Sequence, residues 1–144
     1  MAIKAGNFFP PEYRQCPFEE GDLLVIHDQH TGRFAINKIL RVDRIEVKQG
    51  ESIAILDQRF TAPEDDYLLV VGFSVGVPEF ETEEAARAAA LAGTWNIRIG
   101  HVPIRSPGIA HGHVRVGNAP VTEEELDGYR MWRQEFDQGK AGIF

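Results

Sequence analysis

The chain is short of the residues that most often betray a chemistry. It has one cysteine, Cys16, in 144 residues, so no intramolecular disulfide can form and a four-cysteine zinc site is excluded. A lone thiol fits a reducing compartment, and the expected location is the cytoplasm. No apolar run reaches the roughly 18 to 20 residues that a membrane-spanning helix needs. The opening MAIKAGNFFPPEYRQC has no apolar stretch of signal-peptide length, and Pro10 and Pro11 break any helix there. No membrane partner is therefore expected. Lysine is scarce, only Lys4, Lys38, Lys48 and Lys140, and the net charge is -7. Both facts argue against a nucleic-acid partner, although Arg33, Lys38, Arg41 and Arg44 fall in one short stretch.

Catalytic signatures are missing too. None of Ser52, Ser74 and Ser106 sits in a GxSxG elbow, and Cys16 precedes Pro17 rather than opening a helix that would lower its pKa. GFSVGVP at 72–78 lacks both the dinucleotide fingerprint and the GK[ST] ending, so its glycines read as a bend or bulge. No cofactor is implied.

What is present is ordinary globular material. Hydrophobic residues make up 43% and aromatic residues 10%, enough for one self-supporting core in a single domain over 1–144. Residues 1–20 read as an extended N-terminal arm. From Asp22 onwards, DLLVIH, RFAINKILRVDRIEV, SIAILDQRF and YLLVVGFSV have the composition and alternation of strands separated by the polar DQHTG, KQGE and TAPEDD. Four strands on short turns predict an antiparallel meander with room to curl into a partial barrel. Two helices are expected. Thr82 caps the first, AARAAALA carries it and Gly93 ends it, with Ala85, Ala88, Ala89 and Ala92 as its packing face. The second, 122–138, opens on the capping box Thr122–Glu125 and carries the apolar stripe Leu126, Tyr129, Trp132 and Phe136. Between them WNIRIGHVPI reads as a strand with Trp95, Ile97 and Ile99 on one face, SPGIAHG as a loop and HVRV as a short strand. The fold class is α+β.

Charge is unevenly laid out. Residues 57–84 hold Asp57, Glu64, Asp65, Asp66, Glu79, Glu81, Glu83 and Glu84 against Arg59 alone, whereas 85–121 hold Arg87, Arg98, Arg105 and Arg115 and no acid. An acidic surface steers basic partners toward it and repels phosphate. In the basic stretch, Arg98, His101, Arg105, His111, His113 and Arg115 form an alternative ligand site. The arginines suit an anion, and His111 and His113, placed i and i+2 on a strand, would point the same way toward a metal. The arginines oppose a cation, so no metal site is expected.

FEEGDLLVIHDQHTGRFAINKILRVD at 18–43, with the acidic surface and the small α+β body, resembles the immunity proteins of bacterial toxin systems. The resemblance implies a non-enzyme that blocks a cognate toxin with a basic surface by direct contact, and it assigns no individual residue. The acidic residues of 57–84 are the first candidates for that contact, and Glu123, Glu124 and Asp127 are the second. The other reading is a small enzyme or ligand-binding barrel using the His/Arg cluster for an anionic substrate or metal.

Overall fold

A computed structural model describes residues 9–56 and 58–144. The fold is α+β. Strands β1 (Asp22–His27), β2 (Phe34–Val47), β5 (Asp66–Val77), β6 (Asn96–Arg105) and β7 (His113–Asn118) form one antiparallel sheet in the order β6-β5-β2-β1-β7. The sheet is open, with β6 and β7 at its edges, and is not a closed barrel.

The expected four-strand meander is not what forms. β3 (Ser52–Ile55) and β4 (Gln58–Thr61) pair only with each other, and β5 returns to lie beside β2. The 14-residue β2 and the 12-residue β5 match in length and pair from Asn37↔Val75 to Val47↔Asp66. Four-residue strands cannot compete for that edge. They instead carry Ile53 and Ile55 into a cluster with Ile45, Val47, Leu68 and Val70.

Successive strand residues point to opposite faces. The face carrying Ile36, Lys38, Ser74 and Gly72 is covered at one end by α1 (Glu83–Ala92) and at the other by α3 (Asp127–Asp137). The opposite face, with Leu24, Ile39, Val71 and Phe73, is covered by Phe18, Cys16 and Ile109. Ile109 lies in α2 (Ser106–Ala110), a single helical turn where a loop is expected, held because its side chain is fully buried.

The helices obey their local signals. Thr82 accepts from the Ala85 amide at 3.1 Å, and Gly93, at φ 71, closes α1 by donating to Ala89. The capping box forms as read, with the Thr122 amide donating to Glu125 at 2.9 Å and the Glu125 amide to Thr122 at 3.3 Å. A 3-10 turn at Glu124–Leu126 then leads into α3. The packing face of α1 differs from expectation: Ala86, Ala89 and Ala90 are buried, whereas Ala85, Ala88 and Ala92 are exposed.

Both edges carry irregularities of the bulge kind. On β6, Gly76 faces Ile97 while Val75 faces Ile99, so Arg98 is extra and the two isoleucines fall on opposite faces, not one. On β7 the register shifts between Leu23↔Gly117 and Leu24↔Arg115. Such breaks blunt an edge against pairing with another chain. Part of β6 is also covered by the C-terminus, where Phe144 donates to Pro103 and accepts from Arg105.

Residues 1–8 lie outside the described part of the expected arm. Phe9 is buried, its amide donates to Asp66 at 2.9 Å, and Pro11–Arg14 form a 3-10 turn. Among the described residues of the arm only Phe9 is buried; 10–20 are exposed or half-buried, with Cys16 and Phe18 packed against the sheet.

Candidate functional site

The two expected sites fare differently once the strands are in place. The His/Arg stretch is divided by the sheet. His101 stands over Gly72, where any Cβ would lie 2.5 Å from Nε2, and its ring packs between Tyr129 at 5.7 Å and Trp132 at 5.4 Å. His113 instead faces Phe73, ring centroids 6.3 Å apart, and its Nε2 lies 2.8 Å from the Asn37 amide nitrogen. Gly72 and Phe73 are consecutive on β5, so the two imidazoles are on opposite faces of one sheet.

His111 is at the end of α2, exposed, with Gly112 at φ 81 behind it, so the pair does not share a strand. Arg115 is bound to the buried Asp22 at 2.8 Å, Arg105 precedes α2, and Arg98 sits exposed on the β6 edge. The six residues do not converge. Among the described residues no group of three or more metal-ligating side chains comes together.

Burial explains the histidines. It pushes His101 down to about 4, opposed by the negative charge of Asp43, and lowers His113 as well. Both are neutral core groups at neutral pH. The unfolded His101 binds its proton near 6.5 and the folded one near 4, so the unfolded chain gains protons first on acidification. Stability should be intact above about pH 6.5 and fall progressively toward pH 4, by at most about 3 kcal/mol from this residue, less the screening by water at the partly exposed ring. Urea unfolding at successive pH values checks this: His101→Asn should flatten the slope over that interval, and an unchanged slope would contradict it.

Of the nucleophile candidates, Ser52 is exposed on β3, where it accepts from Arg59 at 3.0 Å, and Cys16 is half-buried. Ser74 and Ser106 are fully buried, Ser106 donates to the Gln15 carbonyl, and burial pushes the Cys16 thiol up, away from a reactive thiolate.

The acidic residues split between the two ends of β5, about 36 Å apart along a 12-residue strand. At the first end Asp66 is engaged internally, taking the Phe9 and Tyr67 amides and facing Arg14 at 3.7 Å. Asp65 takes the Gln49 amide and lies 4.0 Å from Lys48, Glu64 is exposed, and Asp57 lies outside the described residues.

At the second end the acids gather. Phe34 and Phe80 exchange two backbone hydrogen bonds of 2.8 Å, which tie the turn after β1 to the segment after β5. Glu79 is thereby brought within hydrogen-bonding reach of Asp28. Glu81 meets Arg33 at 3.2 Å, and Glu83 and Glu84 begin α1, where Glu83 lies 3.8 Å from Arg87. An open concavity of about 560 Å³ lies beside them, floored by Ala35, Val75 and Pro78 and edged by Asp28, Glu79, Arg33 and Arg98.

Asp28 is the member that charge counting along the chain missed. The His30 amide, at 2.8 Å, holds its carboxyl below the usual range. Its signal was the aspartate opening the DQHTG turn, a residue type that binds amides two and three positions on. Two carboxyl groups placed together on an exposed rim repel each other, and an incoming cation relieves that repulsion.

No protein-family model, no curated protein and no solved structure matches this chain. Among the described residues no helix is long and apolar enough to cross a membrane.

Proposed function

We propose that this chain is an inhibitor protein of the immunity kind, acting in the cytoplasm by docking its acidic end on the basic surface of a cognate toxin. The observation that carries this reading is the gathering of Asp28, Glu79, Glu81, Glu83 and Glu84 at one end of the sheet. Arg33 and Arg87 offset Glu81 and Glu83, which leaves the Asp28–Glu79 pair and Glu84 to meet a partner. Clustered rim charge raises association rates and sets orientation more than it adds affinity. The contact surface is smaller than the whole acidic run, because Asp66 serves the core and Asp65 lies at the far end of β5. The division of the histidines between two faces supports binding over catalysis by that cluster.

Co-expression in a bacterium with the product of the adjacent reading frame tests the proposal. Protection should be lost in Glu79→Lys/Glu84→Lys and kept in Glu64→Lys/Asp65→Lys. Between about 0.01 and 0.15 M ionic strength, where the screening length falls from about 30 to 8 Å, association should slow markedly for the wild type and little for the first variant. Protection that survives reversal at residues 79 and 84 would remove the proposal's support.

A further inference from the structure

We propose that the cleft between the C-terminal end of α1 and residues 118–125 binds a small uncharged molecule carrying a carboxamide on a flat apolar body. This site is separate from the acidic end and does not depend on the inhibitor reading.

The cleft is open to solvent on one side and offers about 490 Å³, within the range that takes a small organic ligand. Leu23 and Lys38 form its floor, and Leu91, Trp95 and Ile97 supply apolar walls. Leu91 and Ile97 are 63% and 45% exposed, so this apolar surface is left uncovered. Trp95 is fixed in place: it lies against Gly76, where a Cβ would be 2.5 Å from its ring, and so offers a preset flat surface for stacking.

Charge then selects the head group. Lys38 is 5% exposed and donates to the Pro120 carbonyl at 3.1 Å and to Glu125 at 3.0 Å. An ammonium has three N–H bonds, so one remains to be given. Its positive charge is already balanced by Glu125. The last turn of α1 carries no basic residue, and the amides of Gly93 and Thr94 both go to Ala89, so that among the described residues no backbone donor meets the carbonyls of Ala90, Leu91 and Ala92. That negative helix end disfavours an anion, and with Glu125 engaged by Lys38 the lining holds no unpaired carboxylate for a cation to meet. An uncharged carboxamide satisfies both sides: its oxygen accepts from Lys38 and its NH₂ donates to an α1 carbonyl or to Glu125.

Benzamide is the probe, with benzoate and benzylamine as its anionic and cationic counterparts of the same shape. The chain has two tryptophans, and the Trp132 indole is already bonded to Gly142 on the far side of His101, which makes it an internal reference in amide NMR spectra. Benzamide should move the Trp95 indole signal and the Ile97 and Thr122 amides, with a dissociation constant of about millimolar for so small a ligand. It should leave Trp132 in place, and Ile97→Glu, at a half-exposed position that the fold tolerates, should abolish the shifts. No movement at Trp95, equal movement with benzoate or benzylamine, or shifts that persist in Ile97→Glu would each overturn the assignment.

Discussion

Glu125→Ala should lower the unfolding free energy by about 3–5 kcal/mol, several times the effect of Glu124→Ala beside it. The Lys38 and Glu125 side chains are 6% and 15% exposed, and truncating one leaves the other charge buried without its partner. The same carboxylate also takes the Thr122 amide, so the helix-opening box is lost in the same step. Burial alone would push the Glu125 carboxyl up, but the Thr122 amide and the Lys38 ammonium more than offset it and hold the group below its ordinary range. The contribution is therefore complete above the unfolded value of 4.5 and is lost as pH falls through the lower folded value. Lys38→Met/Glu125→Leu, which removes both charges, should recover most of the loss. Urea denaturation of the three variants measures this, and a single-variant loss below about 1 kcal/mol would mean that water still reaches the pair.

Ile143→Ala should cost about 2–5 kcal/mol, while Phe144→Ala one residue later should stay within about 1 kcal/mol. The two apolar residues of KAGIF have opposite fates: Ile143 is 2% exposed in the cluster around Ile45 and Leu68, and Phe144 is 55% exposed. Their backbones act together as a clip. Ile143 donates to Ala54 and accepts from Leu56, which holds the β3–β4 hairpin, and Phe144 bonds to Pro103 and Arg105 on β6. Removing the Ile143 side chain leaves a cavity where hairpin, sheet and α3 meet, and the Phe144 ring shields little. Equal losses for the two variants would show that the backbone clip, not the buried side chain, carries the stability.

The candidate binding end was half visible along the chain. Glu79, Glu81, Glu83 and Glu84 are neighbours in sequence and stay neighbours in space. Asp28 is some fifty positions away and joins them only because Phe34 and Phe80 bond across the gap. Asp66 sat in the same acidic run, but the strand pairing that starts β5 turns it inward to the Phe9 amide. The cleft at Lys38 had no local signal, since its walls come from β1, α1, β6 and the segment that follows β7.

By itself the sequence determined what short-range chemistry controls. Thr82, Gly93, Thr122 and Glu125 set helix ends through bonds to amides and carbonyls within a few residues, and alternation with turn residues marked β1, β2 and β5. The tertiary structure alone decided partners and faces. Strand order follows from which lengths can pair, which sets β5 beside β2 and excludes the short β3–β4 hairpin. In α1 the alanines lie on every side and define no stripe, so docking against Leu23 and Ile36 chose Ala86, Ala89 and Ala90. One extra residue on β6 at Arg98 reverses the side-chain parity that alternation assumes. The histidines separate for the related reason that neighbouring positions on β5 face opposite ways, a property of the assembled sheet and not of the HGH spacing.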